Sequence, residues 1–239
     1  MNLLTRQCVV EFIGTFSLTF IGAGAIIAWG GGDSPNIVAI ALAHGLALSM
    51  AVYASGHISG GHINPAVTLG MLATGKIKPP AAAAYIVVQL LGATLAAFIL
   101  SSCLPAAEVK AVKLGATLGA LSTPGNAASI IIIEAILTFL LVTTIFAVAV
   151  DKRGPKNIYG FAIGLTVCFD ILCAGKYTGA SMNPARSFGP ALIGGHWDIH
   201  HCYWIGPIIG GALAALVYDR IIIGKDAAGG DDAGGGEES

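Results

Sequence analysis

Charge is what this sequence has least of. Only 10% of its 239 residues are Asp, Glu, Lys or Arg, where a soluble domain carries about 25%. Hydrophobic residues make up 55% and the mean hydropathy is +0.80. Those values exclude a water-soluble globule and leave an integral membrane protein. A net charge of -1 gives no basic surface for nucleic acid. The five cysteines, Cys8, Cys103, Cys168, Cys173 and Cys202, have no CxxC spacing. They read as small apolar residues, not as a disulfide framework or zinc site. No loop gathers a nucleophile, a base and an orienting group, and no phosphate-cradling or zinc motif occurs. The chain is therefore not expected to be an enzyme, and no metal or cofactor is expected.

What is present is a series of long apolar runs. Spans are expected at about 8–29, 36–56, 81–103, 128–150, 157–174 and 202–223, each near the ~20 residues that cross a bilayer. The first is too long for a signal peptide, contains Glu11 and precedes no clear cleavage site, so it reads as an uncleaved helix. Residues 104–127 read as a polar loop. The Gly/Asp/Glu-rich tail, 225–239, reads as disordered, leaving 1–224 as one membrane domain. Six spans put both termini on one side. Arg6, Lys76, Lys78, Lys152, Arg153, Lys156, Arg220 and Lys225 share that side; Lys110, Lys113, Lys176 and Arg186 face the other. The basic bias makes the termini cytoplasmic. The cell membrane is the expected location, with an internal membrane as the alternative.

One stretch occurs twice: Ser59-Gly60-Gly61-His62-Ile63-Asn64-Pro65-Ala66-Val67 and Thr178-Gly179-Ala180-Ser181-Met182-Asn183-Pro184-Ala185-Arg186. Asn caps a helix start and Pro fits its first position. Each copy thus begins a helix. Gly75 ends the first, and Pro190 is expected to interrupt the second after about two turns. Neither can cross a bilayer. The flanks repeat as well. Glu11, Thr15 and Phe16 match Glu134, Thr138 and Phe139, and Gly92 to Ala97 matches Gly210 to Ala215. The repeats run over about 8–103 and 128–223. Three spans per half is an odd number, so the second half is inverted, with a site at the midplane between the halves. Irregular glycine-rich backbone at that depth must be buried or face water. Two half-helices meeting there present two positive dipole ends. With the amides of Asn64 and Asn183 beside them, they suit a neutral lone-pair donor such as water and repel cations.

These paired Asn-Pro-Ala stretches and their flanks closely resemble the aquaporins, the major intrinsic protein family, over residues 8–223. The resemblance implies an all-α membrane fold of six transmembrane helices plus two re-entrant half-helices. It implies a homotetramer in the lipid bilayer, with one pore per subunit, passing water and small neutral solutes while excluding protons and ions. It assigns Asn64 and Asn183 to the pore centre, and the carbonyls of Gly60, Gly61, His62, Gly179, Ala180 and Ser181 to its walls. His44, Ile171, Ala180 and Arg186 form the outer selectivity filter, with Arg186 and His44 donating hydrogen bonds to the file. Glu11 and Glu134 brace the re-entrant loops; the competing reading of both is as proton carriers. His44, Ile171, Ala180 and Arg186 together look like the tonoplast-intrinsic branch and its ammonia-permeable relatives, so ammonia and hydrogen peroxide are expected as further permeants. Ser187 stands where glycerol channels carry Asp, which ranks glycerol facilitation as the alternative. A secondary active transporter lacks its coupling-ion carboxylates here. The role of Asp170 is left open.

Overall fold

The computed structural model describes residues 1–32, 34–155 and 157–224. The expected tail at 225–239 lies outside the described residues, as do Lys156 and Lys225 of the basic count. Asn2 caps α1 (Leu3–Trp29) by accepting from Thr5 N at 2.8 Å, so this helix starts five residues before the expected span. Asn36 caps α2 (Ile37–Ser59) in the same way. The half-helix α3 (Pro65–Ala73) follows, then α4 (Pro79–Cys103). The segment expected as a plain polar loop contains the short helix α5 (Ala106–Ala111) and two 3-10 turns, Lys113–Gly115 and Pro124–Asn126. The second half repeats the order. It has α6 (Ala127–Ile145), α7 (Tyr159–Thr178), the half-helix α8 (Pro184–Gly194) and α9 (Cys202–Val217). The C-terminal ends of α6 and α9 loosen into π-turns, Phe146–Val150 and Tyr218–Ile223. Six of the described helices are long and apolar enough to cross a membrane.

Pro190 does not stop α8, which runs on to Gly194 and ends at Gly195. The ring removes one helical hydrogen bond. Packing outweighs that loss, because Gly189 lies directly on the backbone of Ala93 and leaves no room there for a Cβ.

Each half packs on itself through small residues. Gly92 of α4 sits on Phe12 O of α1, and Gly210 of α9 sits on Ala135 O of α6. A methyl at either glycine would strike backbone, so the same close crossing is built twice. The half-helices then cross over. The one from the first half, α3, lies against α9, and the one from the second, α8, lies against α4. Each half therefore holds the other's re-entrant segment. Large apolar side chains such as Leu46, Met50, Leu91, Phe98, Ile132 and Ile136 point outward, as a lipid-facing surface requires. Buried positions instead hold Glu11, Thr15, Gln89, Glu134 and Thr138.

Candidate functional site

The two half-helices start as the sequence dictates. Asn64 accepts from Ala66 N at 2.8 Å, and Asn183 accepts from Ala185 N at 3.0 Å and Arg186 N at 3.2 Å. Their amide nitrogens reach across the molecular centre. Asn64 Nδ2 donates to Met182 O at 2.7 Å, and Asn183 Nδ2 donates to Ile63 O at 2.9 Å. An amide has two N–H groups. One from each Asn ties the opposite loop, and one from each is left over.

Ile63 and Met182 hold the left-handed backbone, with φ of 55° and 51°. For a β-branched residue such as Ile63 this conformation is strained, at about 1–3 kcal/mol. It persists because both ends of each peptide are fixed. Ile63 O takes the Asn183 amide, while Ile63 N donates to Glu11 Oε2 at 2.6 Å. Met182 N donates to Glu134 Oε2 at 2.9 Å. The rest of each carboxylate is satisfied in parallel. Glu11 Oε1 accepts from Ser59 Oγ (2.6 Å) and His62 N (2.9 Å). Glu134 Oε1 accepts from Thr178 Oγ1 (2.7 Å) and Ser181 N (3.0 Å). Tyr85 and Tyr203 close each bracket by donating to Ser59 O (3.0 Å) and Thr178 O (2.6 Å). Gln89 adds a fourth donor on Glu11 at 2.8 Å.

Arg186 is 3% exposed, and its guanidinium is held on two flanks. Nη1 donates to Gly115 O at 3.0 Å and Thr117 Oγ1 at 2.8 Å. Nε and Nη2 lie 3.3 and 3.0 Å from His44 Nε2. That nitrogen must be an acceptor, because the guanidinium is donor-only. The ring proton of His44 therefore sits on Nδ1, 2.8 Å from Ile40 O. This corrects the expectation that His44 donates to the file: its N–H is used on α2 and its other nitrogen on Arg186. Below Arg186, Thr117 Oγ1 meets Ser187 Oγ at 2.7 Å, and Ser187 meets Ser181.

A narrow cavity of about 30 Å³ runs through this region. His44, Gly61, His62, Asn64, Ile171, Ala180, Ser181, Asn183 and Arg186 border it, with apolar walls from residues such as Val52, Leu141, Ile145 and Ile163. It holds about two waters, since one needs roughly 10–15 Å³ by this kind of measure. A wider vestibule of about 840 Å³ opens outside the His44 and Ile171 level and is bordered by Lys113, Lys176 and Gly179. Of the residues expected at the site, Gly60 borders neither space and Gly179 borders only the vestibule. Glu11 and Glu134 are fully buried behind the loops.

Sequence reasoning missed Tyr85, Gln89, Gly115, Thr117 and Tyr203. The one available signal was the matched spacing of Tyr85 before Gly92 and Tyr203 before Gly210. Asp170 is 1% exposed and both its oxygens lack a partner among the described residues. No cluster of metal-binding side chains occurs among the described residues.

Six spanning helices in two inverted halves, with two half-helices meeting tip to tip around a narrow thread of space, define a channel-type membrane protein. Comparison with known proteins gives the family. The model of the major intrinsic protein family matches residues 2–218, and the chain belongs to that family. It is 45% identical to the aquaporin TIP4-4 of Zea mays over 92% of this chain and 88% of that protein. Similarity to the aquaporin AqpM of Methanothermobacter thermautotrophicus is 42% identity over 91% of this chain and 98% of that protein. Among solved structures, the aquaglyceroporin from Plasmodium falciparum superposes with a TM-score of 0.80 at 26% identity, covering 92% of this chain and 97% of that one.

Proposed function

We propose that this protein is a passive water channel that excludes protons and ions. The observation that carries the reading is the centre of the thread, where two capped helix N-termini meet and the spare N–H of Asn64 and of Asn183 borders the cavity. Both positive helix ends face that point, so a cation is repelled there. A water passing it gives its oxygen to the two amides and turns its hydrogens outward toward backbone carbonyls on either side. That opposed orientation breaks a proton wire. In this reading Arg186, His44, Ile171 and Ala180 are the outer filter, with Arg186 the donor to the file and His44 its positioning partner. Proteoliposomes are expected to swell quickly under osmotic shock without proton current. The double variant Asn64→Ala, Asn183→Ala should lose both properties; if it kept them, the central role of the two amides would be wrong.

Ammonia and hydrogen peroxide are the further permeants proposed, because the Ile171 and Ala180 sides of the filter are apolar. Ile171→His should cut ammonia-driven pH change in vesicles, and an unchanged rate would remove Ile171 as its cause. Glycerol is the alternative substrate, and a cavity of about 30 Å³ disfavours it. We further propose one channel domain over 1–224, cytoplasmic termini and a homotetramer. The basic bias of one face supports the orientation, and the broad apolar exterior supports burial against lipid or sister subunits. The TIP names among its relatives favour an internal membrane over the cell surface expected from the sequence, and imaging of a C-terminal tag separates the two.

A further inference from the structure

Gly22 of α1 stands directly against the ring of His44. A Cβ at Gly22 would overlap His44 Nε2 and lie 2.5 Å from Cδ2 and 2.9 Å from Cε1. The missing side chain is thus a notch that receives the face of the ring near Nε2 and Cδ2. The same nitrogen meets Arg186. The ring is therefore seated against a glycine and tied to a guanidinium, with its Nδ1 fastened to Ile40 O. The next residue, Ala23, is also engaged. Gly115 lies on Ala23, where a Cβ would come within 2.6 Å of Ala23 O. Gly115 O is one of the acceptors that hold Arg186, and Lys113, Leu114 and Gly115 all take positive φ, at 50°, 57° and 62°. Both anchors of the outer constriction thus rest on one step of α1.

The inverted partner shows what this step changes. By the alignment of Glu11 with Glu134 and of Ser59 with Thr178, Gly22 corresponds to Ile145 and His44 to Ile163. Both isoleucines border the same cavity. One half therefore pairs a notch with a polar ring. The other pairs two bulky apolar side chains at the equivalent crossing.

We propose that Gly22 is a specificity-determining residue of the channel: its lack of a side chain lets the His44 ring seat against α1 and turn Nε2 to Arg186, which sets the width and polarity of the outer filter. This rests on the channel reading above. Any side chain at position 22 displaces the ring away from α1, so the filter narrows and the guanidinium loses its acceptor.

The test is a cycle of Gly22→Ala and His44→Ala, measured as water permeability per assembled channel in proteoliposomes. Gly22→Ala alone should lower water flow about tenfold, because passage through a single-file pore is set by its diameter. In the His44→Ala background the same change should have no effect, since the ring it would strike is gone. Gly24→Ala is the control, because its Cβ would meet only Leu100 Cδ2 at an ordinary 3.4 Å, and it should flow like the unmodified protein. An equal loss from Gly22→Ala in both backgrounds, or no loss in either, overturns the proposal. If Gly22→Ala does not assemble, the double variant decides. Recovery of assembly with the flow of His44→Ala supports the notch, and failure to assemble overturns it. If the unmodified protein carries no water above empty vesicles, the channel reading fails instead. Thermal stability of the same four proteins then still reports whether Gly22 and His44 are coupled.

Discussion

Replacing Glu134 by Gln tests the bracket that holds the outer re-entrant loop. The carboxylate accepts three hydrogen bonds, from Thr178 Oγ1, Ser181 N and Met182 N, at 2.7, 3.0 and 2.9 Å. Glutamine has one acceptor oxygen in place of two. Its better orientation keeps that oxygen on Thr178 and Ser181 and turns its NH2 toward Met182 N–H, donor against donor. The orphaned, buried N–H costs about 1–3 kcal/mol. The two remaining bonds lose their charge assistance, worth about 1 kcal/mol each. The sum is about 3–5 kcal/mol, and at roughly 2–4 °C per kcal/mol for a chain of this size the melting temperature should fall by about 10 °C. Met182 also keeps its left-handed φ of 51° only while its N–H is held, so the tip that receives Asn64 should loosen and water flow should fall with stability. Melting in detergent and swelling of proteoliposomes read the two effects on the same preparation. The exposed Glu108 serves as control, since Glu108→Gln removes no buried acceptor. A Glu134→Gln protein that melts and conducts like the control would refute the reasoning, because the carboxylate would then not be what holds the loop.

Two further outcomes follow from the geometry. Asp170→Asn should raise the melting temperature and leave swelling unchanged, because it removes a fully desolvated carboxylate that has no partner among the described residues. A loss of stability would instead mean that the carboxylate holds an ion or a water. His200, in the outer connection before α9, accepts from Trp204 Nε1 at 3.0 Å and packs edge-on to Trp197 at 4.8 Å. Burial, and then the neighbouring His201, hold its pKa below the usual 6.5. The unfolded chain therefore takes up a proton first as the pH drops, and the stability that rests on neutral His200 is lost below about pH 6.5. His200→Gln keeps an acceptor for Trp204 and cannot titrate, so its melting followed by tryptophan fluorescence should be less acid-sensitive than that of the unmodified protein. Equal sensitivity would show that His200 is not the group responsible.

What the sequence reveals is the part of the site written in local chemistry. The two Asn-Pro starts are visible because capping and the fixed φ of Pro act within three residues, and the caps appear at Ala66, Ala185 and Arg186. The six spans are visible because length and apolarity decide them. Their ends shift where a cap such as Asn2 extends a helix, or where packing against Ala93 carries α8 past Pro190. The hidden part is long-range. Nothing near Thr117 marks it as a support for Arg186, since the contact spans 69 residues. The tautomer of His44 was equally hidden, because Ile40 and Arg186 fix it jointly and only one of them is local. Residues 104–127 carry two of the acceptors that hold Arg186, yet their composition resembles any polar connection.

The repeat explains why function concentrates at so few positions. Both halves need the same frame: a carboxylate, a hydroxyl at Ser59 or Thr178, a tyrosine, and an Asn that ties the opposite loop. These elements are matched atom for atom. The halves diverge in what surrounds that frame. Gln89 adds a donor to Glu11, whereas the position equivalent to it in the second half is Pro207, inside α9, which offers none. Beside the first Asn, His62 Nδ1 bonds to Thr68 Oγ1 at 3.1 Å; beside the second, two serines take those places and link through Thr117 to Arg186. Arg186 itself stands where the first half has Val67. A cation at a helix N-terminus opposes the dipole, so this position is tolerable only with acceptors supplied from elsewhere. Gly115, Thr117 and His44 supply them at one mouth alone. In the other half Val67, Ile145 and Ile163, which correspond to Arg186, Gly22 and His44, leave an apolar wall. An otherwise two-fold frame therefore carries a buried guanidinium with its own acceptors at one mouth only.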